Sequence, residues 1–94
     1  MDLKQFEASL SEAAPPAGIS AAVAALWQAA KGDWHAAHGL AQSQDDAEGA
    51  WVHAYLHRVE GDEGNAGYWY RRAGRPHCME SLPEKWRDIA AALL

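Results

Sequence analysis

Two histidines, His53 and His57, stand four positions apart, and Glu60 follows three positions later. On a helix, residues three and four apart share a face, so this spacing gathers two imidazoles and a carboxylate. Such a pair chelates zinc and similar ions, with the carboxylate as a candidate third ligand. Position 54 is Ala, where the helical zinc proteases carry a Glu directly after their first His, so no metal or cofactor is assigned on motif grounds. The competing reading is a polar stripe on the solvent side of an amphipathic helix. His35 and His38 make a second pair, three apart, and His77 adjoins Cys78. Tyr68, Arg72 and Arg75 follow i, i+4, i+7 spacing and, with Arg71, form the one basic cluster of an acidic chain. Guanidinium forks beside an aromatic ring suit a carboxylate, a phosphate or a stacked base. Cations in the last turn of a helix also offset its dipole, which explains them without a ligand. Cys78 has no charged partner at a defined spacing and reads as an inert thiol.

The elements that must position these residues are all helical. Leu3, Phe6 and Leu10 recur at helical spacing and predict a short first helix. Ala14-Pro15-Pro16-Ala17-Gly18 stops it. Ser20 caps a second helix that runs to Lys31, with Val23, Leu26, Trp27 and Ala30 as its apolar stripe. Gly32 breaks that helix and Asp33 caps a third, Trp34 to Ser43. Either Asp45 or Asp46 caps a fourth, running to Glu60, whose apolar side carries Trp51, Val52, Tyr55, Leu56 and Val59. Gly61 and Asp62 repeat the break and cap. The fifth helix places Ala66, Trp69, Tyr70 and Ala73 inward and ends at Gly74-Arg75-Pro76. Ser81 and Glu84 form a capping-box pattern for a last helix over residues 82–93. Strand signals are missing: no alternating β-branched run occurs, and the chain has no Thr.

The glycine–aspartate pair belongs to a longer repeat. Ala25-Leu26-Trp27, Lys31-Gly32-Asp33 and Ala37 return as Ala54-Tyr55-Leu56, Glu60-Gly61-Asp62 and Ala66, each 29 positions on. Recurrence at such a period signals stacked supersecondary units. Gly61-Asp62 through Ala66, Trp69-Tyr70, Ala73 and Pro76 resembles the second half of a tetratricopeptide-type repeat, and Ala25 to Ala41 is similar, with Leu40 in the aromatic position. The period is shorter than the ~34 residues of that family's standard repeat. The resemblance implies five or six antiparallel helices in a short, right-handed, all-α stack, with units about 19–44 and 46–76 and capping helices about 2–13 and 82–93. It further implies that the first helix of each unit lines a concave groove, which would carry Ala24, Gln28 and Lys31 opposite His53, His57 and Glu60. The stretch from Trp51 to Pro76 also resembles a segment of small uncharacterised bacterial proteins, which implies no activity.

Composition bounds the function classes. Ninety-four residues make one domain with a modest core, and five Trp supply much of its buried area. A net charge of −5 disfavours nucleic acid as a partner. One cysteine excludes an internal disulfide and fits a reducing, cytoplasmic setting. Neither a signal peptide nor a membrane span is expected. The expected function is a non-enzymatic module for a protein or peptide partner, with homodimerisation as a way to cover an exposed face. Its candidate contacts are His53, His57, Glu60, Gln28, Lys31, Tyr68, Arg71, Arg72 and Arg75. A histidine-based metal-binding protein or small-molecule enzyme is one alternative, and an anion- or nucleotide-binding domain another.

Overall fold

Every helix start read from the sequence is capped by the side chain expected there. The Ser20 hydroxyl accepts the Val23 N–H at 3.2 Å, Asp33 accepts that of Ala36 at 3.0 Å, and Asp62 that of Asn65 at 3.1 Å. Of the two candidates before the fourth helix, Asp46 is the cap, accepting from the Gly49 N–H at 2.9 Å. The capping box at Ser81 forms only in part: its hydroxyl accepts the Glu84 N–H at 3.4 Å but donates to the Glu84 carboxylate at 3.0 Å. A full box appears instead at Asp2 and Gln5. The computed structural model describes residues 1–77 and 80–94. Cys78 lies outside the described residues.

Among them are six α-helices, α1 (Leu3–Ala8), α2 (Ala21–Ala30), α3 (Trp34–Ser43), α4 (Ala47–Val59), α5 (Glu63–Ala73) and α6 (Leu82–Leu93), and no strand. The chain is all-α. The first helix is shorter than its apolar spacing suggests, because a 3₁₀ turn takes over at Ser9–Ser11.

The two repeated corners share one hydrogen-bond scheme. Gly32 and Gly61 have φ of 85° and 83°, the left-handed region that costs other residues roughly 1–2 kcal/mol. The glycine N–H bonds back to Ala29 or Arg58, and the following aspartate N–H bonds to Gln28 or His57. This Schellman closure satisfies the last carbonyls of one helix. The same aspartate then caps the next helix, so three residues end one rod and start another.

These corners fold α2 against α3 and α4 against α5. Helix α4 also packs on α2, α3 and α6, α6 reaches across to α2, and α1 packs on α6. The two helices that the repeat resemblance places along a concave groove therefore have α6 lying across them. Trp86 on α6 anchors this closure. Its indole N–H donates to the Leu26 carbonyl at 2.8 Å, in the core, and its ring stacks on Phe6 at 5.6 Å. Trp27, Leu26, Val52, Leu56, Tyr70 and Ile89 fill the interior. Two residues assigned to apolar stripes, Ala30 and Val59, are instead exposed, since each sits in the last turn of its helix beyond the reach of the neighbouring rod.

The α3–α4 connection is held closely. Gln44 accepts the Ala22 N–H at 2.8 Å and donates to the Asp46 carboxylate. A Cβ on Gly49 would stand 1.9 Å from the Gln44 carbonyl oxygen, so only glycine lets α4 start so near this loop. Urea titration should show Gly61→Ala losing roughly 1–2 kcal/mol, the cost of the left-handed backbone alone, because open space surrounds its missing Cβ. Gly49→Ala should lose more, since the loop backbone itself must move. Equal losses, or a smaller one at Gly49, would contradict this packing.

Candidate functional site

Helix α4 has no solvent stripe along its middle. Residues 49–57 are all buried, with His53 and His57 only 3% and 8% exposed. The expected open polar face is therefore corrected: α3 and α5 cover the side of α4 that carries these imidazoles. The periodicity of α4 correctly separates its two faces, but both of them are inside.

The covered face holds a cluster of aromatic nitrogen heterocycles. His53 and His57 stack one turn apart, 4.9 Å between centroids. His38 enters from α3 edge-on, 4.5 Å from His53 and 5.6 Å from His57. Trp34 lies parallel to His38 at 4.8 Å, and Trp69 lies parallel to His53 at 3.8 Å. The Trp34 N–H donates to the Leu56 carbonyl at 2.8 Å, which pins α3 against α4 in this register. Side-chain nitrogens of His38, His53 and His57 fall within 4.8 Å of one another. In sequence His38 pairs with His35, three residues away. Its true partners lie on the next helix, and the available signal was Trp34 one turn before it, an aromatic with no counterpart in the second repeat. Trp69, assigned to the inner face of α5, is half-buried, packs against the edge of the core and also stacks on His53.

Burial first, then the neighbouring His38 and His57, pushes the His53 imidazole down to about 4. His38 is lowered too, by burial and by His57, with Glu60 opposing. Both are neutral at pH 7. His57 meets Glu60, Nδ1 to Oε1, at 2.6 Å.

The other candidate residues scatter. Lys31 donates to the Leu10 and Glu12 carbonyls at 2.7 and 3.3 Å and lies over the Trp27 ring, so it secures the N-terminal segment. Gln28 is half-buried and Glu60 exposed. The basic cluster divides around α5. Arg72 donates to the Tyr68 hydroxyl at 3.1 Å and stacks over Trp69 at 5.1 Å. Arg75 stands 3.9 Å over Trp51, against α4. Arg71 is exposed in the last turn of α5.

Arg72, Trp69 and His53 thus form a layered wall, guanidinium on indole on imidazole. It faces a groove of about 230 Å³ whose other contributors include Gln42, Asp45 and Asp46 from α3 and the α3–α4 loop. Gly49 and Gln44 already engage Asp46, whereas Asp45 is an exposed carboxylate at the rim. The arrangement offers a cation, an aromatic face, an amide and an anion within one small concavity.

The chain matches no protein-family model, no curated protein and no solved structure. No helix among the described residues is long and apolar enough to cross a membrane.

The lowered His53 value carries a sign. In the unfolded chain this imidazole titrates near its ordinary 6.5, but in the fold only near 4. As pH falls between these values the unfolded state takes up the proton first. The stability from this group is whole above pH 6.5 and declines as the pH drops toward 4. Urea midpoints of metal-free protein at pH 7.5, 5.5 and 4.5 should fall in that order, and His53→Phe should flatten the fall. Identical slopes for the two proteins would contradict a neutral, buried His53.

Proposed function

We propose that this chain is a non-enzymatic binding domain that receives a short polar peptide segment in the groove between α3, α4 and α5. The observation that carries the reading is the layered Arg72–Trp69–His53 wall facing Asp45. A guanidinium spread on an indole is held flat, with N–H groups left to form paired bonds to a carboxylate. Asp45 suits a basic or amide side chain, and Gln42 suits a peptide backbone. The volume takes one or two side chains. Opposite charges from two elements favour a ligand of mixed charge over a plain anion. Of the expected contact residues, Arg72 and His53 line this groove, with Tyr68 behind Arg72 holding its guanidinium. The paired helical hairpins and the tetratricopeptide-like repeat support a binding role.

Selection of displayed peptides on immobilised protein should enrich sequences with an acidic residue near a basic or amide one. Fluorescence anisotropy on an enriched peptide should show Arg72→Ala weakening it roughly tenfold, the cost of one charge-assisted hydrogen bond. Asp45→Asn should weaken it less. The remote exposed variant Lys4→Ala should bind as the parent does. A library with no enriched class, or affinities indifferent to Arg72 and Asp45, would remove the reading.

A further inference from the structure

We propose that His38, His53 and His57 constitute a binding site for one divalent transition-metal ion of the zinc, nickel or copper type, with Glu60 as the outer carboxylate that orients His57. The site lies behind the groove wall and shares His53 with it, but it does not require the groove to bind a peptide.

The geometry comes first. Helix α4 offers two imidazoles one turn apart, and α3 brings the third across the seam, held in register by the bond from Trp34 to Leu56. The donor nitrogens lie within 4.8 Å of one another. Bonds of ~2.0–2.1 Å to a tetrahedral ion bring donors to ~3.4 Å apart, so the rings must close by about an ångström, within the reach of side-chain rotation. Three protein ligands leave a fourth position for water or an outside donor.

The chemistry selects the ion. Three imidazoles with no carboxylate bound directly suit borderline metals and fit magnesium or calcium poorly, because those ions demand oxygen. Each imidazole binds such an ion through an unprotonated ring nitrogen. Metal-bound histidines commonly donate their second N–H to a carboxylate, which fixes the tautomer and ring orientation. The 2.6 Å contact of Glu60 with His57 Nδ1 does this and leaves Nε2 as the ligating nitrogen. Trp34 stacks on His38 and Trp69 on His53 at the sides of the cluster, while half-buried His38 leaves a route in.

Two other features set this cluster apart. Among the described residues the nitrogens of His38 and His53 make no hydrogen bond to protein, so they are not committed to another partner. A second grouping, His57 with Glu60 and Asp62, also falls within ligand distance. There Asp62 is committed to capping α5, through both Asn65 nitrogens, and Glu60 to His57, so that group has few lone pairs to spare.

The test uses full-length protein freed of any affinity tag. Isothermal titration with Zn²⁺ alone should give one ion per chain, and cobalt substitution should give the visible absorption of a low-coordinate nitrogen site. His38→Phe keeps a flat ring against Trp34, so the fold survives, and should abolish stoichiometric binding. Glu60→Gln, which can still accept or donate a hydrogen bond, should weaken binding by roughly 10–100-fold, the usual effect of losing an outer carboxylate. His35→Ala, on the exposed side of α3, should bind as the parent does. Thermal melts with and without Zn²⁺ should separate for the parent and coincide for His38→Phe. Absent stoichiometric binding by the parent, or binding that survives His38→Phe, would show that the imidazoles serve as aromatic packing only. Neither His38 nor Glu60 lines the groove, so these outcomes leave the peptide-binding reading standing or falling by its own test.

Discussion

A helix surrounded on all sides has nowhere to put polar groups except against its neighbours, and α4 is such a helix. From Gly49 to His57 every residue is buried, and α2, α3, α5 and α6 share the work of covering it. Its apolar residues meet the main core, which is ordinary. Its other face carries two imidazoles, and the fold packs a third imidazole and two indoles against them. Aromatic stacking lets the ring faces pack as hydrophobic surface while one nitrogen of each imidazole stays within 4.8 Å of the others. Both the groove wall and the three-nitrogen cluster follow from this one arrangement, since His53 belongs to each.

The corners make that burial possible. Because one aspartate closes the backbone of one helix and caps the next, each connection between paired helices is only a few residues long. Short connections keep α3 close alongside α2 and α5 close alongside α4, near enough for Trp69 to lie flat on His53. The α3–α4 loop does the same by other means: Gln44 ties it to α2, and Gly49 lets α4 begin beneath its backbone.

Element boundaries were legible in the sequence because the information for them is local. Ser20, Asp33, Asp62 and Ser81 announce helix starts by side-chain chemistry alone, and Gly32, Gly61 and Gly74 announce ends by backbone freedom. The burial of His53 and His57 was not legible in the same way. Period and polarity assign them to the face opposite Trp51 and Leu56, but whether that face meets water depends on which helices lie beside it. His38 was hidden for a related reason, since its closeness to His53 depends on the register of α3 against α4. The arginines looked like one patch because Arg71, Arg72 and Arg75 are adjacent in sequence. Wrapped around a helix end, they address different neighbours, Trp69 for one and Trp51 for another.

The indole of Trp86 reaches the carbonyl of Leu26 across 60 positions of chain, whereas each hairpin closes over a handful of residues. Nearby contacts assemble fast, and distant ones wait on the diffusion of a long loop. The two hairpins thus have the means to form early and unfinished, with the sides of Leu26 and Leu56 still wet, until the last helix swings back and locks them. In kinetic terms that docking is the natural late event in folding, and losing it is the natural first step in coming apart.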